Sequence, residues 1–94
     1  MKIIKEAQAG SFESSDILIL AEPIHENEGR KIELDSGVYN QYGERILELI
    51  HEVLDTYAVE SIHLVIKDKG AIEPVIQARM ETVLQRASGE QQGT

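Results

Sequence analysis

Apolar residues fall along this chain in two rhythms. "DILILA" (16–21) is a continuous run of β-prone residues closed by Pro23, the pattern of a strand buried on both faces. "HENEGR" (25–30) is polar and contains Gly29, the composition of a hairpin loop. "RKIELD" (30–35) then alternates, with Ile32 and Leu34 on one side and Lys31, Glu33 and Asp35 on the other, which predicts a half-exposed strand. The period lengthens next. Val38, Tyr42, Ile46, Leu49, Val53 and Tyr57 recur at helical spacing, reinforced by Ile50 and Leu54, while Glu44, Glu48, Glu52 and Asp55 fall mostly opposite. An amphipathic helix over 38–57 follows, with Ser36 or Asp35 able to cap it. Gly43 inside that helix costs up to about 1 kcal/mol relative to Ala unless something packs there. "SIHLVIK" (61–67) alternates again and "DKG" turns the chain. Ile72, Val75, Ile76, Met80, Val83 and Leu84 mark a second helix, whose start Pro74 confines to Ala71 or Ile72 and which Gly89 stops.

The element order is β-β-α-β-α, a small two-layer α+β domain. A hairpin followed by a helical crossover suggests a split β-α-β arrangement: an antiparallel sheet of three strands, or four, in the order 2-1-3, with two helices on one face. The first strand is placed centrally because it alone is apolar on both sides, whereas the other two alternate as edge strands do. Two helices cover one face only. The other would expose alternate members of "ILIL" plus Val65 unless the N-terminal segment folds back over it or a partner docks there. Residues 1–89 are expected to form a single domain and 90–94, "EQQGT", a disordered tail.

Composition narrows the function classes. No apolar run approaches the roughly eighteen residues that span a bilayer, and "MKIIKEAQAG" has no continuous apolar core of a signal peptide. The chain lacks cysteine, which removes disulfides and thiolate zinc sites, fits a cytoplasmic location, and means that any thiol chemistry would need an imported group. Seventeen acids against nine bases give a net charge of −8, the wrong field for nucleic acid. One Phe, three Tyr and no Trp argue against an aromatic-lined base or sugar site.

Independent catalysis finds little support. His25, His51 and His63 have no ligand-type spacing, so no metal site is expected, and Glu13 with Asp16 or Glu26 with Glu28 are unremarkable neighbours in so acidic a chain. Glycine-rich phosphate loops, nucleophile elbows and zinc-helix motifs are missing. What stands out is "AGSFESSD" (9–16), a small, hydroxyl-rich segment ahead of a rigid strand. Its residue chemistry leaves three readings open: side-chain bonds that start a strand, the commonest use of such loops, a covalent handle, or a phosphorylated serine.

"AGSFESSD" also resembles the N-terminal signature of the citrate lyase acyl carrier (gamma) chains: Ala-Gly, a hydroxyl residue, an apolar residue, Glu-Ser, a small residue and Asp. "QYGERI" (41–46) is similar to that family's start of the long helix, "DKGAIE" (68–73) to its turn into the last helix, and "QARMETVLQRASG" (77–89) to that helix. The likeness covers nearly the whole chain. It implies a non-catalytic, cytoplasmic carrier in which Ser14, the serine of the Glu-Ser pair, bears 2'-(5''-phosphoribosyl)-3'-dephospho-coenzyme A through a phosphodiester. It further implies three partners: the alpha (transferase) and beta (lyase) subunits of citrate lyase, and a cofactor-loading transferase. The thioester on the arm would exchange acetyl for citryl at the first subunit and be split at the second into oxaloacetate and a regenerated acetyl thioester. Glu13 and Asp16 would at most help to position the donor site of the loading enzyme. The alternative is a ferredoxin-like regulatory or protein-interaction module working through its uncovered sheet face, with no adduct.

Overall fold

A computed structural model describes residues 1–37 and 39–89. Strands β1 (Ala7–Gly10), β2 (Ile17–Glu22) and β3 (Arg30–Ser36) precede helix α1 (Tyr39–Thr56), and strand β4 (Ile62–Asp68) precedes helix α2 (Glu73–Ala87). The expected starting residue of the long helix, Val38, and the expected tail 90–94 lie outside the described residues.

The four strands form one sheet in the order β1-β2-β4-β3. β1 pairs with β2 and β2 with β4 in antiparallel register, whereas β3 and β4 run parallel. Burial follows the pleat. Ala9, Ile19, Ile66 and Leu34 align across the sheet on the helix side, as do Ala7, Ala21, Leu64 and Ile32. Ile17, Ile19, Ile62, Leu64 and Ile66 are fully buried there, with Ile50 and Leu54 of α1 and Met80, Val83 and Leu84 of α2. α2 packs across β1 and β2, and α1 packs beside it over β3, so both helices cover the same face. The α+β class and the two-layer arrangement are therefore as the pattern predicts.

The strand order is not the expected 2-1-3, and the sheet is mixed rather than antiparallel. β4 enters between β2 and β3, so the loop after β2 is a crossover connection and not a hairpin turn. The physical reason lies in the open face. With helices on one side only, an interior strand needs apolar residues on that side alone, so the alternation of β4 is compatible with a central position. The α1 crossover then brings β4 in parallel beside β3, as such a connection allows. β3 becomes an edge whose outward Lys31, Glu33 and Asp35 are exposed, a charged border that discourages further pairing.

The N-terminal segment does not fold over the open face. Residues 7–10 add β1 at the sheet edge, and Ile3 enters the core on the helix side. The amides of Ile4 and Lys5 both donate to the carbonyl of Ala87 at 2.9 and 3.1 Å, tying this segment to the end of α2. Leu18, Leu20 and Val65 remain half-buried on the opposite face, among Lys31, Glu33, Asp35 and Lys67.

Register places three connections at one end of the molecule. Ile17 starts β2 opposite Asp68 at the end of β4, which lies opposite Ser36 at the end of β3. The β1–β2 loop, the β3–α1 turn and the β4–α2 turn therefore share that end, where both helices begin.

Candidate functional site

The segment 11–16 forms the loop of the β1–β2 hairpin, at this shared end. Gly10 opens it with φ +88°, and a Cβ there would lie 1.7 Å from the carbonyl oxygen of Ile17, so only glycine lets the two strands close on the loop. The Ser11 amide donates to that same oxygen at 3.2 Å.

Asp16 holds the loop's other end. Its Oδ2 accepts from the Ser11 hydroxyl at 2.6 Å and its Oδ1 from the Ile17 amide at 2.7 Å. Arg79 of α2 grips the same carboxylate with Nε on Oδ1 at 3.1 Å and Nη2 on Oδ2 at 3.0 Å. Such a fork matches guanidinium to carboxylate and fixes orientation as well as distance. The bonds from Arg79, then those from Ser11 and the Ile17 amide, lower the Asp16 carboxyl from 3.8 to about 2. The β4–α2 turn is stitched to the same segment: the Ser15 amide donates to the Lys69 carbonyl and the Lys69 amide to the Asp16 carbonyl, each at 2.9 Å.

Within this anchored frame lies Ser14. It is exposed at the tip, and among the described residues it makes no hydrogen bond. Ser15 is also exposed, but its backbone is held in the left-handed region (φ +65°) by the Lys69 contact. A hydroxyl that is solvent-facing, unengaged and mounted on a braced loop is suited to receive a group delivered by another protein. The expected role of Asp16 toward a loading enzyme's donor site is not what the geometry gives: both carboxylate oxygens are turned inward to Arg79, Ser11 and Ile17. Arg79 was illegible as a loop anchor, since it lies 63 residues away and nothing in its helix pattern marks it.

Two hollows flank the β4–α2 turn. One, of about 570 Å³, is lined by Phe12 of the loop together with Asp35, Gly37, Lys67, Lys69 and Gly70. The other, of about 530 Å³, lies between the first turns of the helices and is bordered by Tyr42, Ile46, Leu49, Ile72, Pro74 and Ile76. A two-bonded pair, Arg45 to Glu73 at 3.0 and 2.9 Å, joins the helices beside it. This pair lowers the Glu73 carboxyl and raises the Arg45 guanidinium. Asp68 separates the hollows. Although buried, its carboxylate is satisfied by the Ser36 hydroxyl at 2.9 Å and by the amides of Gly70 and Ala71 at 3.2 and 3.0 Å, so it shapes the turn.

The histidines stay apart. His51 Nδ1 lies 3.1 Å from Nη1 of Arg30, and His63 Nε2 lies 2.5 Å from Glu33 on the open face. Among the described residues no three His, Cys, Asp or Glu side chains converge as metal ligands. Glu26 and Glu28 pair with Lys2 and Lys31 at 3.3 and 3.0 Å rather than with each other. No helix among the described residues is long and apolar enough to cross a membrane.

Comparison with known proteins places this geometry in context. Residues 4–87 match the acyl carrier family model described as malonate decarboxylase delta subunit (MdcD). The citrate lyase acyl carrier protein of Yersinia enterocolitica is 43% identical over 90 residues, spanning 96% of this chain and 92% of its own. That of Edwardsiella ictaluri is 40% identical over 88 residues, 94% of this chain and 89% of its own. That of Treponema denticola is 40% identical over 88 residues, 94% of this chain and 98% of its own. In fold, the chain is similar to one in a Pseudomonas malonate decarboxylase hetero-tetramer solved with malonate. The TM-score is 0.72 and the identity 24%, over 88% of this chain and 84% of that one.

Proposed function

The chain belongs to the citrate lyase acyl carrier protein family, and on that premise we propose that Ser14 is where its acyl-carrying arm is joined. The arm is 2'-(5''-phosphoribosyl)-3'-dephospho-coenzyme A, linked through a phosphodiester. Such a group supplies, when bound, a thiol that holds an acyl group as a thioester. The single observation that carries the assignment is that the Ser14 hydroxyl is exposed with no bond to give up, on a loop fixed by Asp16 and the Ser15 backbone; the Ser15 hydroxyl is exposed as well, and the place of Ser14 in the Glu-Ser pair selects it.

The residues present fit this use. A cysteine-free chain has no thiol of its own. Ser14 is a tether. In loading, its Oγ attacks the α-phosphorus of a triphosphoribosyl donor; the Oγ–P bond forms, the bond to pyrophosphate breaks, and the serine proton passes to a base of the loading transferase. Gly10, the Ser11–Asp16–Arg79 contacts and the Ser15–Lys69 bond then keep the attachment point at a constant place on the sheet. That matters because a tethered group works by effective concentration, which depends on a fixed anchor and an arm long enough to reach both active sites.

In this reading the chain works within a multi-subunit assembly, presenting acetyl and citryl thioesters to a transferase (alpha) and a lyase (beta) subunit in the cytoplasm. Residues 1–89 act as one carrier domain. The alternative of a free-standing interaction module is not favoured, since the similarity to carriers runs over nearly the whole chain. The test is reconstitution with the loading transferase and the triphosphoribosyl donor. Wild type should gain the mass of one arm and support citrate cleavage when added to the other subunits. Ser14→Ala should gain nothing and support none. Full loading of Ser14→Ala would overturn the assignment.

A further inference from the structure

The hollow beside the Ser14 loop is lined by two lysines, two aspartates and an aromatic ring. The chain carries a net charge of −8, yet two lysines, Lys67 and Lys69, line this one depression. Lys67 reaches Asp35 at 3.4 Å, but the Lys69 ammonium makes no ion pair among the described residues. Two acids line it too, Asp35, paired with Lys67, and Asp68, turned inward onto Ser36 and two amides, and Glu13 is exposed on the loop. Phe12, the chain's only phenylalanine, borders the same hollow and is 60% exposed. An aromatic ring left in solvent at a loop tip contributes nothing to the core, but it offers a flat face on which a base can stack.

Connectivity brings these groups within reach of whatever Ser14 carries. Phe12 is two residues away, so their Cα atoms are separated by at most about 7 Å. The Ser15 amide is bonded directly to the backbone of Lys69. We propose that this hollow is a resting site for the nucleotide end of the arm, with Phe12 against the adenine and Lys69 and Lys67 facing its phosphates. The inference rests on the carrier reading and adds to it a built-in parking place. The nucleotide half lies along the chain's own surface, and the pantetheine half with its thiol extends free. Docking of that kind shortens the searching part of the arm and sets the direction in which it leaves the loop.

The test compares amide ¹H–¹⁵N spectra of the apo-protein and the enzymatically loaded holo-protein, with the adduct on Ser14 verified by mass. Docking predicts shifts at residues 12, 35, 37 and 67–70 in the holo form, which fade in 1 M salt because the phosphate contacts are screened. It also predicts their loss in holo-Lys69→Glu and holo-Phe12→Ala, variants whose apo spectra should otherwise overlay wild type. Shifts confined to 11–16, unchanged by salt or by either variant, would overturn the docking site while leaving the carrier reading intact. A native protein with no adduct at all would remove both, so the two failures are told apart by the mass.

Discussion

Ser14 and Asp16 are two residues apart and do opposite things. Ser14 is exposed and makes no hydrogen bond among the described residues, so Ser14→Ala should change folding stability by no more than about 0.5 kcal/mol, in the range of exposed substitutions, when followed by chemical denaturation. Ser15→Ala should keep loading largely intact, because the Ser15 contact to Lys69 is made by its backbone. Asp16 behaves otherwise. Its carboxyl is held at about 2 in the folded protein, chiefly by Arg79 and then by Ser11 and the Ile17 amide. A group lowered on folding stabilises the native state above its unfolded pKa, and that contribution disappears as pH falls through the folded value. Wild type should therefore lose part of its stability between about pH 4 and pH 2, a part that Asp16→Asn lacks across the whole range. Denaturation midpoints measured from pH 7 to pH 2 check this, and parallel curves for the two proteins would contradict the inward role of Asp16.

At the level of elements, the hairpin that carries the loop depends on one backbone position. Gly10→Ala drives a Cβ into the Ile17 carbonyl, and a backbone oxygen in a paired strand cannot swing aside. It should destabilise the fold by more than about 2 kcal/mol, whereas Gly29→Ala, also at positive φ but facing open space, should cost only about 1 kcal/mol. Thermal unfolding of the two variants gives the comparison, and equal losses would refute it. Both helices were legible from periodicity because their buried stripes, Ile46–Leu49–Ile50–Val53 and Ile76–Met80–Val83, keep helical spacing through to the structure. Strand β1 was not legible. "AQAG" has one buried residue in four and no β-branched side chain, and it exists through pairing with β2 and packing under α2. The place of β4 cannot be read from its alternation, which reports how many faces are covered rather than position in the sheet. Within the loop, the residue chemistry of "SSD" points first to side-chain bonds that start a strand, and Asp16 makes them to Ser11 and the Ile17 amide, whereas the Arg79 fork and the exposed Phe12–Lys69 hollow depend on contacts that no local spacing encodes.

The whole molecule is a support for one end. A four-stranded sheet carries two helices on a single face, and the register gathers three connections, the Ser14 loop among them, and both helix starts at the same pole. The central claim is that this architecture exists to hold out Ser14 with a covalent arm. Its most direct test is fragmentation mass spectrometry of the tryptic peptide spanning residues 6–30, taken from the assembly purified from the native host. That peptide contains Ser11, Ser14 and Ser15. The account predicts a single phosphoribosyl-dephospho-coenzyme A adduct whose fragment ions bracket Ser14. An unmodified peptide, or an adduct on Ser11 or Ser15, would contradict it.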